Sequence, residues 1–188
     1  MTVPAPDTEH PSALHTEAAE IAAIHRELGI PPDYSTRTGL RLYTDAEDLA
    51  FVGEDVFGRP QRMTPHTAIQ WQAMYKRAQA KDVILLLVSA FRSVRYQREL
   101  ISHKLTAGQK IADILKVNAA PGYSEHHSGC ALDLTTGDSA SLDEGFENTR
   151  AFAWLGKHGG EFGFRMSYPR GNPHGITYEP WHWMCRDG

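Results

Sequence analysis

"GYSEHHSGCALDLTT", residues 122–136, opens polar and closes apolar, and it places His126 and Asp133 seven positions apart with a glycine between them. The half "CALDLTT" alternates like a strand with one buried face, and "GYSEHHSG" reads as the polar loop that feeds it. An unpaired carboxylate inside "ALDL" would be costly to bury, so Asp133 calls for a cation. Gly129 and the small Ala131 let the chain turn tightly enough for His126 and Asp133 to converge. A catalytic zinc takes three ligands from His, Asp or Glu and keeps a fourth position open. The best candidate for the third is His182 of "YEPWHW", because Glu179 stands three residues earlier and could serve as a general base. Pro180 holds Glu179 extended, so this is not the helical HExxH arrangement. His127 points away from the metal if the chain is extended there, and is expected in a supporting position or on the surface.

Working outward, "DVILLLVSAF" (82–91) is apolar on both faces and too short for an ordinary helix, which predicts a buried central strand. "TPHTAIQWQAMYKRAQAK" (64–81) begins with a threonine cap and proline at the first helical position, so it is a helix. "EAAEIAAIHRELGI" (17–30), "SVRYQRELISHKLTAG" (93–108) and "QKIADILKVN" (109–118) also carry helical periodicity. "TRAFAWLGKHGGEFGF" reads as a helix ended by a glycine pair and followed by a strand, "YPRGNPHGITYEP" as turns, and "WHWMCR" as a last strand. Strands interleaved irregularly with helices indicate α+β, with a small, mainly antiparallel sheet flanked by helices.

A length of 188 residues fits one domain. A net charge of -4 gives no broad electrostatic footprint for nucleic acid. No apolar run is long enough to span a bilayer, and the N-terminal stretch lacks the pattern of a secretory signal, so the chain as written is expected in the cytoplasm. Two cysteines, Cys130 and Cys185, are too few for a disulfide scaffold or a four-cysteine zinc site, and a bridge between them is left open. There is no GxSxG elbow, no phosphate-binding GxxxxGK[ST] loop and no GxGxxG. Trp181 and Trp183 read as core residues.

"SEHHSGCALD" fits the pattern SxHxxGxAxD, and with "SAFRS" upstream and "YEPWHW" downstream the chain resembles the zinc D-alanyl-D-alanine carboxypeptidases of the VanY type. The resemblance covers about residues 60–185, and it implies the architecture of the lysostaphin-like and hedgehog-like metallopeptidases, with the zinc held on the sheet. It implies a catalytic domain over 60–188 with residues 1–59 as an N-terminal extension packed on it. Carried over position by position, it implies His126, Asp133 and His182 as zinc ligands, Glu179 as the base and Arg92 as the group that steadies the scissile carbonyl. Gln97 and Ser124 match substrate-facing positions, and Tyr168 and Arg170 of "YPRG" are added as candidates at the substrate rim. The implied partner is a peptidoglycan stem peptide or another peptide ending in D-alanine, cleaved by a monomer. Such a role belongs in the periplasm or cell envelope, against the cytoplasmic expectation. An L,D-carboxypeptidase, an endopeptidase, a small-molecule amidase and a zinc-stabilised binding module would share the same metal site. The binding module would have no need of Glu179 and Arg92.

Overall fold

The computed structural model describes residues 13–137 and 142–186, so the first twelve residues of the 1–59 segment lie outside the described residues. Helix α1 (Ala13–Leu28) ends at Gly29, and a short α2 (Tyr34–Thr38) follows. Strands β1 (Ala50–Glu54) and β2 (Pro60–Met63) pair as an antiparallel hairpin. Helix α3 (Pro65–Gln79) starts where the sequence indicates: Thr64 Oγ1 accepts the Thr67 amide at 3.3 Å and Pro65 fills the first position. Then come β3 (Leu86–Ser89), α4 (Val94–Thr106), α5 (Ile111–Val117), a 3-10 turn at Glu125–Ser128, β4 (Ala131–Thr135), α6 (Arg150–His158), β5 (Phe164–Met166) and β6 (His182–Cys185).

The main sheet is antiparallel throughout, in the order β3-β4-β6-β5. Two expectations need correction. Strand β3 is an edge strand and not the central one, and the strand itself covers only Leu86–Ser89, with Ile84 56% exposed. Its apolar character comes from shielding of its free edge by the hairpin region: the Val56 amide donates to Leu87 O at 3.0 Å, Arg59 Nη2 to Val88 O at 3.0 Å, and the Phe91 amide to Arg62 O at 3.1 Å. The interior strands are β4 and β6, and β4 is buried on both faces and does not alternate as its sequence suggests. Leu132 and Leu134 point into the main core with Trp71, Met74, Leu85, Leu87 and Trp183. Full burial of each such leucine contributes about 1.5–3 kcal/mol.

A second core joins the N-terminal segment to the helices, with Leu28, Ile30 and Tyr34 packed against Ile101 of α4 and Ile114 of α5. Tyr34 also accepts the Ala120 amide at 3.1 Å through its hydroxyl. Gly129, at φ 68, closes the 3-10 turn where only glycine fits. A Cβ there would meet Leu49 Cδ2 at 2.9 Å and the Thr64 backbone nitrogen at 3.2 Å. Among the described residues no helix is long and apolar enough to cross a membrane.

Candidate metal centre and active site

Sheet register brings two of the three candidate ligands together. Asp133 of β4 lies directly opposite His182 of β6, so their side chains leave the same face. Asp133 Oδ1 is 3.0 Å from His182 Nδ1, and Asp133 Oδ2 is 3.2 Å from His126 Nε2. The three groups are buried and their ligand atoms lie within 4.8 Å of one another.

His126 arrives from the 3-10 turn with a fixed tautomer. Its Nδ1 sits 2.5 Å from Ala90 O, and a carbonyl can only accept, so Nδ1 carries the proton and Nε2 presents a lone pair. That Nε2 is near Asp133 but out of hydrogen-bonding alignment, so it is a buried nitrogen without a hydrogen-bond partner. Burial, with Arg92 beside it, pushes His126 down to about 4 and keeps it neutral. Burial would raise Asp133, but the two imidazoles outweigh it and hold its carboxyl well below the usual range. A neutral imidazole, an ionised carboxylate and a second imidazole around one point are a donor set for zinc, and His126 Nδ1–H on a backbone carbonyl is the outer hydrogen bond that such ligands carry.

His182 faces a carboxylate on each ring nitrogen, because Nε2 lies 2.9 Å from Glu125 Oε2. Burial would lower His182, but its hydrogen bonds to Asp133 and Glu125 prevail and lift it to about 10. Glu125 is in turn held by Ser167, whose hydroxyl donates at 2.5 Å. The sequence reading missed Glu125. Its partners stand 57 and 42 positions away, and its placement on a 3-10 turn leaves no local pattern.

His127 takes the supporting position and not the surface one, though not for the reason of an extended backbone. It is fully buried, because the backbone is a 3-10 turn and not extended. The Gly122 amide donates to its Nε2 at 3.1 Å, so the proton is on Nδ1, which donates to Arg92 O at 2.6 Å. The Arg92 amide returns to His126 O at 3.2 Å, which pins the arginine backbone to the ligand turn. The segment before residue 60 braces the same turn: the Tyr43 amide donates to Gly122 O at 2.7 Å and the Ala46 amide to His127 O at 2.9 Å.

A cavity of about 280 Å³ opens over the three ligands and is lined also by Arg92, Ser124, Tyr168, Glu179 and Trp181. Pro180 and Trp181 form a turn closed by the His182 amide on Glu179 O at 3.1 Å, and the side chains of Glu179 and His182 both face this cavity. Burial pushes Glu179 up to about 7. Arg92 Nη2 is 3.8 Å from Asp133 Oδ2. The Tyr168 ring packs on His182 with centroids 4.9 Å apart. Trp183 belongs to the core as read, and Trp181 packs against that core while also lining the cavity.

Two candidates are not on this wall. Arg170 points to Glu144 and Glu147, at 3.0 and 2.7 Å, and lies over the Tyr178 ring. Gln97 is 1% exposed and its Nε2 donates to Ala119 O at 2.8 Å. In contrast, Lys104 and Asn118, which sequence reasoning did not single out, do line the cavity.

The family described as VanY, D-alanyl-D-alanine carboxypeptidase, matches residues 60–186. The bifunctional D-Ala-D-Ala dipeptidase and D-Ala-D-Ala carboxypeptidase VanXYC of Enterococcus gallinarum is 30% identical over 125 residues, which is 64% of this chain and 65% of the relative. Overall this chain spans about half the length of the curated relatives it matches. Among solved structures, the LdcB LD-carboxypeptidase superposes with a TM-score of 0.67 at 24% identity, covering 75% of this chain and 69% of that one. A vancomycin-resistance D,D-pentapeptidase VanY, solved in complex with Zn(II), superposes at 0.57 with 23% identity, covering 76% and 82%. At these identities the superpositions show a shared fold.

Proposed function

We propose, from the premise that this chain belongs to the VanY family of D-alanyl-D-alanine carboxypeptidases, that it is a zinc-dependent peptidase releasing the terminal D-alanine of peptidoglycan stem peptides. The observation that carries the reading is the buried His126 Nε2 lone pair, held without a hydrogen bond beside Asp133 and His182 at the floor of a cavity that also holds Arg92 and Glu179. The solved VanY with Zn(II) supports the choice of metal. His126, Asp133 and His182 would hold the ion. Zinc bound there supplies a Lewis acid that polarises the scissile carbonyl and brings water's pKa down toward about 7.

The chain's own groups do the rest. Glu179 takes the proton of the attacking water and passes it to the leaving amine, and a carboxylate raised by burial is matched to that task near neutral pH. The Arg92 guanidinium, fixed through its backbone, faces the charge that develops on the carbonyl oxygen. Ser124 and Tyr168 contact the substrate from the cavity wall. The described part of the N-terminal extension, residues 13–59, packs on the catalytic domain, and the amides of Tyr43 and Ala46 stiffen the ligand turn. A substrate of this kind places the activity at the cell envelope.

Glu125 is a positioning residue. By accepting the Nε2 proton of His182 it leaves Nδ1 for the metal. Glu125→Ala is expected to weaken zinc binding on the order of 10–100-fold, and Glu125→Gln, which keeps an acceptor oxygen, by less. Chelator competition measures both. Unchanged affinity in the alanine variant would show that His182 is oriented by something else.

The activity is tested by incubating the zinc-loaded chain with a pentapeptide stem ending in D-Ala-D-Ala and with the tetrapeptide stem, and measuring free D-alanine. Release from the pentapeptide is expected to dominate. Dominant release from the tetrapeptide would assign the L,D specificity that LdcB carries in its name, and cleavage of internal bonds alone would contradict the carboxypeptidase reading.

A further inference from the structure

A C-terminal exopeptidase needs donors for the free carboxylate of its substrate, and ionised donors make the stronger hydrogen bonds. Gln97 cannot fill that need. A carbonyl only accepts, so the Gln97 atom 2.8 Å from Ala119 O is its NH₂, and its other atom, Oε1, is a buried acceptor that would repel a carboxylate. Arg92 is committed to the scissile carbonyl in the reading above.

One further cation lines the cavity. Lys104, in the last turn of α4, is half-buried and donates to Oδ1 of Asn118, just past α5. That contact uses one of the three ammonium donors and turns the Asn118 NH₂ into a free donor direction beside it. None of the ion pairs among the described residues involves Lys104. A half-buried ammonium held by a neutral amide has lost hydration without a carboxylate in ion-pair contact, and burial, together with the charge of Arg92, outweighs the more distant Glu179 carboxylate and pulls its pKa below the ordinary lysine value. An anion in the cavity would relieve both costs. Val117, Ala119 and Ile176 line the cavity with this pair and suit a small methyl-bearing residue.

We propose that Lys104 and Asn118 form the subsite for the free C-terminal carboxylate of the substrate, so that Lys104 determines the preference for a terminal over an internal bond. The proposal rests on the peptidase reading above and adds the residue that reads the chain end.

The test compares a stem peptide ending in D-Ala-D-Ala as free acid with its C-terminal amide, using the full zinc-loaded chain and the variants Lys104→Met and Lys104→Arg. For Lys104→Met, KM for the free acid should rise on the order of 10–100-fold with kcat moved far less, and the acid-over-amide preference should fall by a similar factor. Lys104→Arg should restore part of that preference. Zinc content and circular dichroism matching the unmodified chain show that the variants fold. Equal losses on acid and amide, or no loss on the acid, would overturn the proposal. If the unmodified chain cleaves neither peptide, the peptidase reading fails by itself, and calorimetry with N-acetyl-D-alanine and its amide still decides the subsite. Binding of the acid that is lost in Lys104→Met supports it, and equal or absent binding of the two ligands overturns it.

Discussion

Glu179→Gln is expected to lower kcat on the order of 10²-fold or more while leaving zinc content and the fold unchanged. The side chain faces the cavity and stands outside the three-ligand cluster, so its loss removes a proton acceptor and leaves coordination intact. Burial holds its carboxyl near 7 in the metal-free protein, and a bound dication would pull that value down. With zinc kept saturating at every pH, the acidic limb of the kcat/KM profile should therefore fall at or below about pH 7 and should vanish in the glutamine variant. Steady-state kinetics across pH, with metal analysis of the same samples, measure both. Near-normal turnover in Glu179→Gln would move the base elsewhere.

The largest effect is expected at the ligands. His126→Ala, Asp133→Ala and His182→Ala should each weaken zinc binding by more than the 10–100-fold assigned to loss of a supporting group such as Glu125, and activity should disappear with the metal. Asp133→Ala also leaves His182 and Arg92 without the carboxylate between them, so it should destabilise the fold most, and Asp133→Asn separates the two effects. The affinity has a defined pH sense. His182 is protonated up to about pH 10 without metal, because both nitrogens face carboxylates, and binding at Nδ1 must displace that proton. Zinc affinity should thus rise with pH across the neutral range and fall on acidification. Chelator competition at several pH values checks the sign.

Much of this site was legible in the sequence, for identifiable reasons. Thr64 with Pro65 marked the start of α3, because a cap and its proline are local signals. His126, Asp133 and His182 could be named from their blocks alone. Their convergence depends on the register that sets Asp133 opposite His182, which the isolated strands do not reveal. The rank of β3 in the sheet was misread because an apolar run reports burial, and the hairpin region covers enough of the free edge to bury Leu87 and Val88. Gln97, Glu125 and Lys104 were beyond reach for one shared reason. The role of each is decided by a single hydrogen bond to a distant residue, Ala119, His182 or Asn118, and side-chain identity does not say which of its atoms that bond will use.

Anomalous X-ray scattering at the zinc edge, recorded on crystals of the zinc-loaded chain, tests the metal assignment most directly. One peak is expected, bounded by His126 Nε2, an oxygen of Asp133 and His182 Nδ1. A zinc-loaded crystal with no peak among these three side chains would contradict it.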